Sequence, residues 1–379
     1  MRILFRSNAV WANTGYGIQA QYLLPGFRRL GHQVAQFAFY GLRGAKITAG
    51  DLTIYPPAFD PWGSDIIGAH AENFKADLVI TLQDLWPMAD DYGARAGAPW
   101  MPWFPVDQVP APPAVVERAK RADYPVVYSV FGRAMMAAAD VDCQYIPHGV
   151  DRQVFKPLDK SDCRRKLGWP DDAFIIVMVG ANKGFPSRKS FPEALRIFRR
   201  FHSRYPEAWL YLHTLETDAG QGVNFKVLID SIPGFPAERL RFVDQYRYLV
   251  GLPPQYLADV YNAADVLMQP SQGEGFGLPI IEAQACGLPV LANRTTAMPE
   301  LTFGGLTIKP AQEFFTPLGG WVGIPSIEGF VDGLEWAFRR RDDPDLAEAA
   351  IWGASKYDWQ VIIDDYWAPF LAEVERELA

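Results

Sequence analysis

Cysteine is scarce in this chain. Cys143, Cys163 and Cys286 stand far apart in 379 residues, with no Cys-x-x-Cys pair, so neither a disulfide framework nor a zinc cluster is expected. Scattered thiols of this kind fit a reduced, cytoplasmic protein. Basic excess is missing too. The 36 Lys+Arg against 44 Asp+Glu leave a net charge of −8, which argues against a general binder of nucleic acid or anionic membrane. No apolar run approaches the roughly 20 residues that a bilayer-spanning helix needs. The stretch Met1–Val10 carries Arg2 and Arg6 around a short apolar run, unlike a secretory leader, so no integral membrane segment is expected. What is present is ordinary for a globular protein, with 49% apolar and 21% charged residues. A chain of this length exceeds what a single core usually organises, and two domains are expected.

Apolar runs alternate with amphipathic stretches along the whole chain, the pattern of parallel sheets covered by helices. Strands are predicted at Arg2–Ser7, Val34–Phe39, Asp51–Tyr55, Leu78–Leu82, Val126–Val130 and Cys143–Ile146. A second series follows at Phe174–Val179, Trp209–His213, Leu240–Val243, Asp265–Pro270 and Pro289–Asn293. Between Trp86 and Pro113 the chain is rich in Pro and Trp and reads as a long irregular loop, with Asp107 beside aromatic faces that would suit a sugar ring. The polar stretch Phe155–Asp172 reads as a linker, and His148 just before it as a turn residue. The tail from Tyr357 reads as a long helix with one apolar face, broken or kinked near Pro369. Domains are therefore expected at 1–155 and 156–355, with 356–379 as a closing helix.

The stretch from Gly273 to Gly287 carries the most chemistry. Gly273, Gly275 and Gly277 lie in a loop that can approach a ligand closely, Pro279 suits a first helical turn, and Gly287 suits a helix end. A flexible loop feeding a helix N-terminus is an anion site. Glu274 within the loop and Glu282 on the helix are odd neighbours for an anion unless they bind hydroxyls, and a phosphate flanked by sugars satisfies both. A second candidate phosphate contact is Arg188-Lys189, two cations just before a helix opened by Ser190-x-x-Glu193, which has the form of a capping box. Gly15-Tyr16-Gly17 follows the first strand but lacks the third glycine and the acidic partner of a dinucleotide fingerprint, so NAD binding is not inferred.

Three stretches together resemble the retaining nucleotide-sugar glycosyltransferases of family 4. These are Ile146-Pro-His-Gly-Val-Asp151, then Ala264-Asp265-Val with Pro270-Ser271, then Glu274-Gly-Phe-Gly-Leu-Pro-Ile-Ile-Glu282 with its continuation to Val290. The resemblance is strongest from about 146 to 300 and at the tail. It implies the GT-B fold, α/β with two Rossmann-like doubly wound domains facing across a cleft and a C-terminal helix crossing back to the first. Glu282 would then hold the ribose of the donor, and Glu274 the transferred sugar. The backbone of Gly275, Phe276, Gly277 and Leu278 would lie beside sugar and phosphate. Lys189 matches the family lysine on the diphosphate, with Arg188 next to it.

This sequence departs from the family at two places. The arginine expected after the strand-end Gly180 is replaced by Ala181-Asn182, leaving Lys183 or Arg188 to take its part. The histidine of a His-Asp pair is missing beside Asp107, which stays a candidate on the acceptor side. Gly15 to Gly17 falls where the family's first glycine loop meets donor phosphate or acceptor. The resemblance implies a UDP- or GDP-sugar as donor, no cofactor and no metal. The acceptor stays open among glycan, lipid, small molecule, protein and modified nucleic-acid base. A nucleotide-sugar isomerase, a sugar phosphorylase and a non-catalytic nucleotide-sugar binder are the alternatives.

Overall fold

A computed structural model describes residues 1–184, 186–217 and 222–379. Its contacts divide the chain into two compact units. The first comprises Met1–Gly149, Thr316–Gly320 and Trp359–Ala379, and the second comprises Val150–Phe315 and Trp321–Asp358.

The first unit is built on β1 (Arg2–Asn8), β2 (Gln33–Tyr40), β3 (Ile47–Ala49), β4 (Leu52–Tyr55), β5 (Leu78–Leu82), β6 (Trp100–Phe104), β7 (Val126–Val127) and β8 (Gln144–Tyr145). They form one sheet in the order β3-β4-β2-β1-β5-β6-β7-β8. All neighbours are parallel except the β3–β4 pair. Residues 100–104, predicted as part of an irregular loop, are instead an interior strand buried along its whole length. Pro102 lacks a ladder donor and argues against a central strand, but Trp100, Met101, Trp103 and Phe104 around it bury fully, and their packing wins. The tail belongs to this unit. Trp359 stacks on Tyr22 at 5.5 Å, and fully buried Trp367 meets Phe27 and Trp103 edge-on at 5.1 and 5.2 Å. Rather than breaking, the tail helix widens to π geometry over Ile362–Trp367 just before Pro369, which relieves the proline ring of its clash with the preceding turn.

The second unit carries β9 (Phe174–Val179), β10 (Ala208–His213), β11 (Leu240–Phe242), β12 (Val266–Gln269), β13 (Val290–Asn293) and β14 (Gly305–Ile308), all parallel, in the order β11-β10-β9-β12-β13-β14. A hairpin of β15 (Gln312–Phe315) and β16 (Trp321–Ile324) lies outside this sheet. Its strand order is that of a nucleotide-binding doubly wound sheet, whose switch point falls between β9 and β12. The predicted linker holds a helix, Lys160–Leu167. Its apolar stripe is too narrow to read by period. A polar anchor replaces it: buried Arg164 donates to Asp265 at 2.8 Å and to the Ala263 carbonyl at 2.9 Å.

Candidate functional site

In the second unit the loops after β9 and β12 leave the sheet at its switch point, where ligands of this architecture bind. The chain from Ser271 to Gly277 is buried throughout. Of the three loop glycines, Gly277 alone takes a left-handed φ, 118°, and it forms the N-cap of helix Leu278–Ala285. Glu274 is 6% exposed and accepts from Lys189 Nζ at 2.5 Å, from Arg188 Nη1 at 3.1 Å and from Gln269 Nε2 at 3.1 Å. Its backbone N–H donates to Thr296 Oγ1 at 2.9 Å. Arg188 also donates to the Gly273 carbonyl. Burial pushes the Glu274 carboxyl up, yet Lys189 and then Arg188 outweigh it and hold the group at about 2.

The helix after these cations does not start as its sequence predicts. Ser190 is the N-cap of Phe191–His202, but its backbone is left-handed at φ 58° and its hydroxyl makes no capping bond. The hydroxyls of Ser187 and Ser190 are both buried without a hydrogen-bond partner among the described residues. First-turn N–H groups, two hydroxyl donors and two cations therefore converge on one segment. Strain in a non-glycine residue clusters where structure serves function.

Glu282 stands apart from that cluster. Buried on helix Leu278–Ala285, it accepts from the Tyr261 hydroxyl at 3.0 Å, and burial raises its carboxyl to about 7 against that bond. Phe276 is buried edge-on against Tyr357 at 5.6 Å, and Leu278 opens the helix half-buried. Asn182 is occupied by the fold: its amide donates to the carbonyls of Leu215 and Val223 at 3.1 and 2.7 Å and accepts from Val223 N–H at 2.8 Å. Lys183 is exposed. Of the two substitutes for the missing family arginine, Arg188 is the one placed on Glu274.

The first unit has its own group at its own switch point, between β1 and β5. Thr14 caps helix Gly15–Arg29 by accepting from Gly17 N–H at 3.1 Å. A Cβ at Gly17 would come within 2.2 Å of the Ala12 carbonyl, so a close backbone approach demands glycine there. Tyr16 donates to Asp84 at 3.1 Å and lies 3.5 Å from the Tyr128 hydroxyl. Burial, and after it Asp84, raises the Tyr16 hydroxyl well above its ordinary range, and Asp107 adds to that field. Burial likewise holds His148 neutral, its ring 4.1 Å from Tyr128 and 4.4 Å from Trp103. Sequence reasoning missed Asp84, Tyr128, Gln269 and Thr296. The position of Asp84, two residues past the end of β5, was a usable signal.

Among the described residues no three His, Cys, Asp or Glu side chains gather to hold a metal ion. No helix among them is long and apolar enough to cross a membrane.

Residues 159–305 match the model of the family described as glycosyl transferases group 1. That segment contains Arg188, Lys189, Glu274 and Glu282. It is a group 1 glycosyltransferase domain. A D-inositol 3-phosphate glycosyltransferase of Stackebrandtia nassauensis is 31% identical over 240 residues, covering 61% of this chain and 48% of that protein. One from Corynebacterium jeikeium is 35% identical over 164 residues, covering 42% and 37%. The chain thus spans about half the length of the curated relatives it matches. Solved structures extend the likeness to the whole chain as a likeness of fold. Sucrose-phosphate synthase of Thermosynechococcus elongatus superposes with TM-score 0.75 at 19% identity, covering 100% of this chain and 99% of that one. Anabaena HepE, solved with UDP-glucose, gives 0.69 at 16% identity, covering 98% and 100%. The fold is GT-B, with its group 1 domain in the second unit.

Proposed function

We propose that the chain is a retaining glycosyltransferase that moves a sugar from a nucleoside-diphosphate sugar to an acceptor hydroxyl without a metal. The observation that carries this reading is the segment Ser187–Ser190. It presents two cations, two buried hydroxyls without partners and a helix start beside an ionised, buried Glu274. Such a segment suits a diphosphate that gathers negative charge as it departs. Lys189 and Arg188, paired with Glu274, would share themselves with the diphosphate, and Glu274 would turn its oxygens to the hydroxyls of the sugar. Glu282 would accept from the ribose. The acceptor oxygen forms its bond to the anomeric carbon on the face from which the phosphate oxygen leaves. Its proton passes to that oxygen, so configuration is retained. Tyr16, Asp84 and Asp107 of the first unit are the groups suited to orient an acceptor hydroxyl.

UDP is the first nucleotide to test, because HepE was solved with UDP and UDP-glucose. Incubation of the chain with UDP- and GDP-sugars and a panel of acceptors should release nucleoside diphosphate only when an acceptor is present, and chelator should not change the rate. NMR of the product should show the anomeric configuration of the donor. Acceptor-independent epimerisation, or an inverted product, would sink this reading.

A further inference from the structure

Arg6 projects from β1 into the core of the first unit and is fully buried. No ion pair reaches it among the described residues. One of its nitrogens, Nη2, donates to the Trp62 carbonyl, while Nε and Nη1 have no partner. The guanidinium carbon lies over aromatic rings, 4.4 Å from the centre of Phe39 and 5.4 Å from that of Tyr92. The carboxylate whose field acts on it, Asp60, is tied to the backbone N–H groups of Trp62 and Ser64 at 2.9 and 2.8 Å. The Tyr92 hydroxyl is buried without a partner, and so are both polar atoms of the Gln83 amide. Arg6 pairs in register with Thr81, and Gln83 lies two residues past that partner, just beyond the end of β5.

A buried charge without a counter-ion is among the costlier features a core can carry, and buried donors are as a rule satisfied. Five polar atoms on these three buried residues of the first unit break that rule together. We propose that Arg6, Tyr92 and Gln83 form a buried oxyanion site in the first unit, which takes a carboxylate or phosphate group under the loop that carries Asp60 and Trp62. The guanidinium supplies a fixed fork of donors, the phenol adds a second kind of donor, and the amide can donate while its oxygen accepts from a protonated ligand oxygen. This site shares no residue with the proposed donor pocket and does not depend on glycosyl transfer.

The test uses the full chain carrying Arg188→Ala and Lys189→Ala, which removes the cations of the second unit, with inorganic phosphate and acetate titrated by calorimetry. One of the two probes should bind. Adding Arg6→Gln should weaken that binding about tenfold or more, the size of a lost charged hydrogen bond. Tyr92→Phe should weaken it a few-fold with the melting temperature nearly unchanged. Stronger binding of phosphate assigns a phosphate-bearing ligand, and stronger binding of acetate a carboxylate. Should Arg6→Gln fail to fold, Tyr92→Phe and Gln83→Leu carry the test. Binding of neither probe, or equal binding by the parent and these variants, overturns the proposal.

Discussion

Glu274 and Glu282 are both buried, yet their carboxyls are held at about 2 and about 7. Burial acts alike on both; the difference lies in the partners, two cations for one and a neutral phenol for the other. If Glu282 accepts from ribose hydroxyls, UDP affinity should rise as pH increases through about 7, and Glu282→Gln should flatten that dependence in calorimetric titrations. Stability runs the other way. Glu282 holds its proton more tightly folded than unfolded, so the ligand-free chain loses stability as pH rises from about 4 to about 7. Glu282→Gln should then melt higher than the parent at pH 8, and the gap should close at pH 4. Glu274 is depressed instead, and its contribution is present above its unfolded value and lost as pH falls toward about 2. Lys189→Ala should lower turnover about 100- to 1000-fold, the loss typical of one donor to a developing anion. Unchanged steady-state rates would remove Lys189 from the site.

Whole elements were legible where packing and pattern agree. β9 runs over the predicted Phe174–Val179 because a strand buried on both faces is a plain apolar run bounded by polar residues. β6 was hidden by Pro102, and the helix Lys160–Leu167 by its polarity, since ion pairs from Lys160 and Arg164 to Asp265 hold it where an apolar stripe would be expected. Ser190 shows the opposite failure. Its Ser-x-x-Glu spacing suggests a cap, but its backbone is left-handed rather than extended and its hydroxyl makes no capping bond. At the start of helix Gly15–Arg29, Gly17→Ala should cost about 1–3 kcal/mol in urea unfolding, because the Ala12 carbonyl occupies the space a methyl group needs. A cost near zero would mean that the loop yields freely.

At the scale of the molecule, sequence order and spatial grouping part company. Trp359–Ala379 ends the chain but helps complete the core of the first unit, where Trp367 lies against Phe27 and Trp103. Removing residues 359–379 should expose those rings and abolish cooperative unfolding of the first unit, since losing several buried aromatics exceeds the usual margin of stability. Urea titration followed by near-UV circular dichroism would show this. A truncated chain with the parent's transition would contradict it.

By itself the sequence determined the parallel β/α architecture, the glycine loop with its two glutamates and the neighbouring Arg188-Lys189, because each is written in short spacings that local chemistry reads directly. Only the tertiary structure decided which of these groups meet. It set Arg188 and Lys189 on Glu274, gave Asn182 to the backbone, placed Tyr16 on Asp84 and left Arg6 buried with two nitrogens that find no hydrogen-bond partner among the described residues. The physical reason is that a carboxylate's ionisation and a cation's partner depend on burial and on distances of a few ångström between residues far apart in the chain. No spacing along the sequence encodes those distances.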